Sequence, residues 1–339
     1  MFGFAPKNVE KLYLSSSLII ESINPNLTLL YYDVINKVVY ATDSEILNLY
    51  ESRNNGKTWK IIFTFQYGIK GLYRTSTGAW IFWSNSTRIY RVSSDFASIV
   101  VKSDAYRKPP LNVNLGVAEY NGVIMYGEYG HDVNEIWKST DDGVTWTISD
   151  DGSGDTHWHT LQLDPYTNNF WATSGDTAKR IMNTTDAGVT WNVIDTDPTT
   201  STTRCVGLVF RKNEIMWAMD TASTVQKVFK SARTPWSRVE VGVTSTVGIG
   251  AVKTLDNKML IAGRAEVNTV GDVDEVPLLL TDGVTIKKIM GVEITPSSSV
   301  AFGEAILSQV DNNNRVWVQF RSTRLKGLCS ILLPFGGLS

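Results

Sequence analysis

The sequence predicts an all-β chain folded as a ring of similar units, each made of four short antiparallel strands. Three observations carry this. A box of eight residues ending in Thr-Trp occurs three times between short apolar runs, as Ser52-Arg-Asn-Asn-Gly-Lys-Thr-Trp59, Ser139-Thr-Asp-Asp-Gly-Val-Thr-Trp146 and Thr184-Thr-Asp-Ala-Gly-Val-Thr-Trp191. A polar turn followed by a short apolar run stands upstream of each box, as in Asn121-Gly-Val-Ile-Met-Tyr and Asn213-Glu-Ile-Met-Trp-Ala. Helical patterning is nearly absent. Four strands in about 45 residues, repeated along the chain, is the blade of a β-propeller.

Each shared position of the box has a physical reason. Asn54, Asp141 and Asp186 can accept from backbone N–H groups and hold an Asx-type turn. Gly56, Gly143 and Gly188 supply the positive φ such a turn needs. Ser52, Ser139 and Thr184 add a local hydroxyl bond, and Trp59, Trp146 and Trp191 fold back over the hairpin. The unit reads as strand, turn, strand.

Weaker copies follow once the period is known. Ser93 with Asp95, Ser231 with Trp236, Thr281 with Asp282 and Gly283, and Ser330 each keep part of the box. The anchor hydroxyls therefore fall at 52, 93, 139, 184, 231, 281 and 330. These predict a seven-bladed β-propeller forming a single domain over 1–339, with blades at about 28–66, 67–105, 106–150, 151–197, 198–241, 242–292 and 293–339. The last blade runs out after its third strand, near Leu333. Residues 1–27 are expected to close the ring, with the strand-like piece from Lys11 to Ile20 as the missing outer strand.

Composition removes several classes of function. Against 32 Lys and Arg stand 34 Asp and Glu, a net charge of −2, so the broad basic footprint of phosphate-backbone binding is missing and no nucleic-acid partner is expected. With 42% hydrophobic and 19% charged residues the chain can bury a sizeable core. No run of 18 apolar residues would span a membrane. Cys205 and Cys329 are too few for a disulfide framework or a zinc cage, and read as small buried apolar residues. The first residues lack the basic-then-apolar layout of a signal peptide, so the expected location is inside the cell, on a virion, or outside after release without a signal of the usual kind. No Gly-rich loop opens a helix, which argues against nucleotide phosphates.

The three boxes resemble the Asp-box, or BNR, repeat of sialidases and other carbohydrate-active propellers. That resemblance implies that the boxes lie on the hairpin between the two outer strands, away from the active centre, with a structural role. A classical sialidase is not implied. That family carries an Arg-Ile-Pro-type motif in its first blade and three arginines that clamp a carboxylate, whereas the first blade here holds only Arg53, and the nearest Arg-then-Pro is Arg107-Lys-Pro-Pro.

Chemistry concentrates in the middle of the chain. All three histidines fall within 131–159, as His131, His157 and His159. In a propeller the loops entering innermost strands share one face with the loops joining second to third strands. This topology brings Glu128, Tyr129 and His131 of the third blade toward His157, His159 and Asp176 of the fourth, and toward Arg204 and Asp220 of the fifth. Two residues apart on a strand, His157 and His159 share a side, with Trp158 opposite.

The segment around these residues also looks like a pattern in Asp-box proteins described as glycosidase-like, and some seven-bladed polysaccharide lyases similarly use a His pair, a Tyr and an Arg at the channel mouth. The resemblance implies an enzyme, a lyase or glycoside hydrolase acting on an acidic polysaccharide. His131, His157, His159 and Tyr129 would exchange protons, Arg204 would neutralise a uronate carboxylate, and Glu128, Trp158, Asp176 and Asp220 would bind substrate. The alternative is a non-catalytic glycan-binding or adhesion propeller, virion- or surface-associated, in which the same pocket only recognises sugar. A third reading, a protein scaffold using the rim, would ignore the pocket. No cofactor is expected, although two histidines with Glu128 or Asp176 also suit a divalent metal. Plainer readings stand beside these: histidines that are hydrogen-bonded core groups, an Arg204–Asp220 ion pair between strands, and Trp158 packed between blades.

Overall fold

A computed structural model describes residues 12–15, 18–85, 88–101, 107–130, 134–152, 154–222, 225–266, 274–295 and 302–333. Among them the chain is almost entirely β, with one four-residue helical turn, Val113–Gly116. Five four-stranded antiparallel sheets follow one another along the chain, each a simple up-and-down meander. The first runs through Thr28–Asp33, Val38–Thr42, Asn48–Ser52 and Lys60–Thr64, and the fourth through Trp158–Leu163, Phe170–Ser174, Arg180–Thr184 and Asn192–Thr196. The chain is a β-propeller.

The remaining strands form one sheet of nine. It contains two further groups of four. Val247–Lys253, Met259–Glu266, Glu275–Thr281 and Ile286–Glu293 make one, and Phe302–Leu307, Arg315–Arg321, Gly327–Leu332 and the N-terminal Ile19–Asn24 make the other. They join where Arg264, Ala265 and Glu266 pair with Glu304, Gly303 and Phe302.

Burial falls from the second strand of a sheet to the fourth. Val38–Thr42, Trp80–Ser84 and Phe170–Ser174 are buried at every position, because both faces of the strand lie against neighbouring sheets. Lys60–Thr64 and Asn192–Thr196, at the rim, are largely exposed. This gradient explains why the upstream landmark is a continuous apolar run while the strand after each box is mixed.

Core clusters straddle consecutive sheets. Leu30, Tyr40 and Leu49 pack with Leu72, Phe82 and Tyr90, and Trp171 and Ile181 pack with Phe210 and Trp217. One cluster ties the end of the chain to its start, joining Trp317 and Leu328 to Leu29, Tyr32, Val39 and Ala41. Two bonds support that seam: Tyr32 donates to Asp311 Oδ2 at 2.7 Å, and Leu29 N donates to Gln319 Oε1 at 3.1 Å.

The N-terminal piece divides in two instead of forming one strand from Lys11 to Ile20. Leu12–Leu14 pairs with Met290–Val292 at the edge of one four-strand group, while Ile19–Asn24 pairs with Leu328–Leu332 in the next. Between them Ser15 N donates to Ile289 O, and Leu18 is buried in the core shared by the two groups. A buried leucine at the crossing lets one short segment serve both edges.

The recurring turns carry the bonds their chemistry predicts. Ser139 Oγ accepts from Gly143 N at 2.9 Å and donates to Asp141 Oδ1 at 2.9 Å, while Asp141 Oδ1 accepts from Thr145 N at 2.8 Å. Thr184, Asp186, Gly188 and Thr190 repeat this set, and Gly56, Gly143 and Gly188 have φ of 79°, 78° and 75°. The turn also explains the shared threonine, whose hydroxyl donates to the second carboxylate oxygen in Thr145 and Thr190. Each glycine backs onto the preceding sheet. A Cβ on Gly143 would overlap Ile81, one on Gly188 would overlap Ser149, and one on Gly56 would meet Ser22 and Trp317.

One helical turn ties several sheets together. The segment leading into Val117–Tyr120 turns through Val113–Gly116, with Asn112 as its N-cap. From there Asn112 Nδ2 donates to Leu307 O at 3.0 Å, Leu115 O accepts from Thr160 Oγ1, and Asn114 Oδ1 accepts from Tyr32 N at 3.2 Å. Beside this turn lies a cavity of about 310 Å³ lined by residues such as Tyr31, Tyr73, Gln162 and Gln309. No helix among the described residues is long and apolar enough to cross a membrane.

Candidate functional site

The predicted convergence places most, not all, of the candidate residues together. Strand Trp158–Leu163 opens the fourth sheet, and the extended residues at its start carry His157 and His159 on one side. Strand Phe170–Ser174 pairs with it and delivers Gly175 and Asp176 beside them; Gly175 N donates to His157 O at 2.9 Å. From the fifth sheet come Arg204 and Asp220, linked through the backbone by Asp220 N donating to Arg204 O at 2.8 Å.

Five side chains form a closed circuit. Asp176 Oδ1 meets Arg204 Nη2 at 2.9 Å, Arg204 Nε lies 3.4 Å from Asp220 Oδ2, and Asp220 Oδ2 lies 3.5 Å from His159 Nδ1. His159 Nε2 faces His157 Nε2 at 3.1 Å, and His157 Nε2 returns to Asp176 Oδ2 at 3.5 Å. The two imidazoles are nearly parallel, 20° apart with centroids at 5.0 Å. Tyr129 lies over them, its ring 4.4 Å from that of His157.

The circuit is graded from buried to open. His159, His157 and Asp220 are buried, Arg204 and Tyr129 are half-buried, and the Asp176 side chain retains 47% of its exposure. Burial disfavours the imidazolium form and lowers the pKa of His157, against the opposing pull of Asp176; it lowers that of His159 further, helped by His157 and Arg204. Burial also raises the Tyr129 phenol, reinforced by Asp220. Desolvation is the largest influence on the Asp176 carboxylate and works against it, but Arg204 together with the two histidines outweighs it, and its pKa ends below the usual range.

Two predicted site residues stand elsewhere, and a third is outside the described residues. Glu128 is buried and turned inward, where its carboxylate accepts from Lys108 N at 3.0 Å and from Glu135 N at 3.3 Å; it straps a loop instead of facing a ligand. Trp158 is 1% exposed, packed in the core beside Met125, Leu161 and Phe170, with Nε1 donating to Asn134 O at 3.1 Å. Buried on both faces, it has none left for stacking on a sugar. His131 lies outside the described residues. Cys205 is fully buried beneath His159, and burial pushes its thiol far above the usual range. Cys329 is also buried, its thiol raised to about 12.

One neighbour escaped the sequence reading. Arg264 contributes to the electrostatics of Tyr129 from the sixth sheet. The signal was present, because Arg264 follows Asn257 by seven residues as Asp220 follows Asn213 and Asp176 follows Asn169. The same slot of successive units therefore delivers a residue to this face.

Comparisons with known proteins reach the fold alone. No protein-family model matches the chain, and no curated protein matches it. Among solved structures it is similar to YCF48 from Cyanidioschyzon merolae, at 13% identity and a TM-score of 0.60 over 94% of this chain and 99% of that one. It is also similar to a YCF48 chain in a structure of YCF48 bound to D1 peptide, at 12% identity and a TM-score of 0.59 over 95% and 98%. The WD40 β-propeller domain of Doa1 is similar at 10% identity, with a TM-score of 0.58 over 96% and 98%.

Proposed function

We propose that the chain is a seven-bladed propeller of the Asp-box type that cleaves an acidic polysaccharide, by β-elimination or hydrolysis, at the face formed by its third to fifth blades. The blade count rests on five four-stranded sheets plus two groups of four within the nine-stranded sheet, and closure on the pairing of Ile19–Asn24 with Gly327–Leu332. The observation that carries the function is the circuit of Asp176, Arg204, Asp220, His159 and His157 with Tyr129 lying over it. So many polar groups converging from three blades at one partly open place is the pattern of a reactive site.

Within this reading Tyr129 is the group placed for proton transfer, and Arg204 meets the substrate carboxylate. Arg204 is already shared by Asp176 and Asp220, so a uronate reaches it only as the exposed Asp176 gives way. A second reading, a propeller that binds without cleaving, is favoured by the solved structure in which a similar propeller holds a peptide.

The test is ultraviolet absorbance of new unsaturated uronate ends, with reducing-end release in parallel, across a panel of uronate polysaccharides. Turnover that disappears in Tyr129→Phe and in Arg204→Ala supports cleavage at this face. Retention on a glycan or peptide array with flat traces in both assays would establish the binding reading in its place.

A further inference from the structure

The arrangement of ring nitrogens in the circuit asks for a cation. His157 Nδ1 lies 3.0 Å from Gly130 O, and a carbonyl only accepts, so the proton of the neutral ring sits on Nδ1 and the lone pair on Nε2. His159 Nδ1 faces Asp220 Oδ2 at 3.5 Å, and a carboxylate only accepts, so the same logic puts its proton on Nδ1 and its lone pair on Nε2. These tautomers are assigned from the partners. The opposite tautomer of His159 would let it donate to His157, but would leave a buried lone pair against a carboxylate.

With both protons pointing outward, two lone pairs meet head-on at 3.1 Å, and a third donor, Asp176 Oδ2, stands 3.5 Å from His157 Nε2. One ligand atom from each of His157, His159 and Asp176 falls within 4.8 Å of the others. Two nitrogens each about 2.1 Å from one ion stand about 3.1 Å apart at an angle of about 95° between them. The outer partners are of the kind that metal-bound residues use: the other nitrogen of His157 meets the Gly130 carbonyl, that of His159 faces the Asp220 carboxylate at 3.5 Å, and the second oxygen of Asp176 is held by Arg204.

We propose that His157, His159 and Asp176 hold a divalent transition-metal ion of the zinc type, with its remaining position open toward Tyr129. Two neutral imidazoles and one carboxylate are borderline ligands that suit such an ion better than Ca²⁺ or Mg²⁺, which take oxygen. An ion here would supply the positive charge that Arg204, shared by two carboxylates, lacks for an acidic substrate. This inference deepens the proposed function and uses the same face.

The experiment uses the full chain, stripped with chelator and titrated with Zn²⁺ alone by calorimetry, with Co²⁺ as a visible-absorption probe. The expected result is one ion per chain, a higher melting temperature with Zn²⁺, and a Co²⁺ spectrum typical of nitrogen and oxygen ligands. His159→Gln should abolish binding. Asp176→Asn, a change at an exposed side chain that leaves folding intact, should weaken it strongly. Asp220→Asn, which leaves all three ligands in place and alters the carboxylate shared by His159 and Arg204, should weaken it about 10- to 100-fold. Absence of binding, or affinity unchanged in His159→Gln and Asp176→Asn, would overturn the metal site. Failure of the two ideas is separable. Polysaccharide cleavage by a chain that takes up no Zn²⁺ sinks the metal and leaves the activity, whereas stoichiometric Zn²⁺ with no cleavage of any polymer sinks the activity and leaves the metal.

Discussion

His157 Nε2 and His159 Nε2 approach to 3.1 Å across the backbone of Gly175. Gly175 needs no unusual φ; it is glycine because of space, since a Cβ there would overlap Nε2 of both rings. Gly175→Ala is therefore expected to push the imidazoles apart while the rest of the sheet holds. Overpacking of this kind costs about 1–3 kcal/mol. Calorimetric titration with Zn²⁺ beside a melting curve checks it: a folded variant of lower melting temperature that no longer takes up the ion is expected. Zn²⁺ uptake equal to the parent would show that the histidine spacing does not depend on this glycine.

The indole of Trp158 tests whether burial or ligand contact governs that position. It is enclosed, and its Nε1 donates to Asn134 O. Trp158→Phe keeps an aromatic face but leaves that carbonyl without this donor and the pocket underfilled, for an expected loss of about 1–3 kcal/mol. Urea denaturation should show a lower midpoint with an unchanged slope. A variant of full stability but weakened glycan retention would instead restore the stacking role.

The recurring turn makes a third expectation. Ser139 is buried, and its hydroxyl both accepts from Gly143 N and donates to Asp141. Ser139→Ala strands that N–H, at a cost of about 1–3 kcal/mol. Thr184→Ala removes the same bonds from the next sheet. The two sites share no partner, so their effects should add in the double variant. Zn²⁺ affinity and turnover are expected to stay at parental levels, because both turns lie at the far end of their strands from the histidines.

What could be read from the residues depended on how local the cause was. The Ser139–Gly143 and Thr184–Gly188 turns are closed by bonds spanning two to four residues, so their chemistry is written in consecutive letters. Convergence of Tyr129, His157, Asp176, Arg204 and Asp220 was also legible, since the repeat fixes which strand ends share a face. The rest depended on partners far away in sequence. Glu128 turns inward to amides at 108 and 135, and Trp158 is covered by the sheet before its own. Nothing near Val113–Gly116 announces that Leu307, Thr160 and Tyr32 will meet this turn. The N-terminal segment divides between two sheet edges because its partners lie some 300 residues away. Arg264 needed only that the same slot be read one blade further.

The seam between the chain's ends should respond to acid through Glu21. Its carboxylate accepts from Arg315 Nη2 at 3.0 Å and from Ser330 Oγ at 3.0 Å, tying the N-terminal strand to the two strands beside it. The Arg315 hydrogen bonds, partly offset by burial, hold the Glu21 pKa below its ordinary value. A carboxyl whose folded pKa is depressed contributes stability that is fully present above its unfolded pKa and is lost as the pH falls through the folded value. At neutral pH the strand Ile19–Asn24 is therefore held in full, and it should loosen as the pH drops below about 4.3, the ordinary Glu value. Amide hydrogen exchange, corrected for the intrinsic pH dependence of exchange, checks this by following Ile19–Asn24 against Phe170–Ser174 at neutral and acid pH. Protection of the N-terminal strand should fall selectively in acid. Glu21→Gln should show reduced protection already at neutral pH and little further acid dependence. Equal acid sensitivity in the parent and Glu21→Gln would place the weak point of the seam elsewhere, with Asp311, which also pairs with Arg315, as the next carboxylate to test.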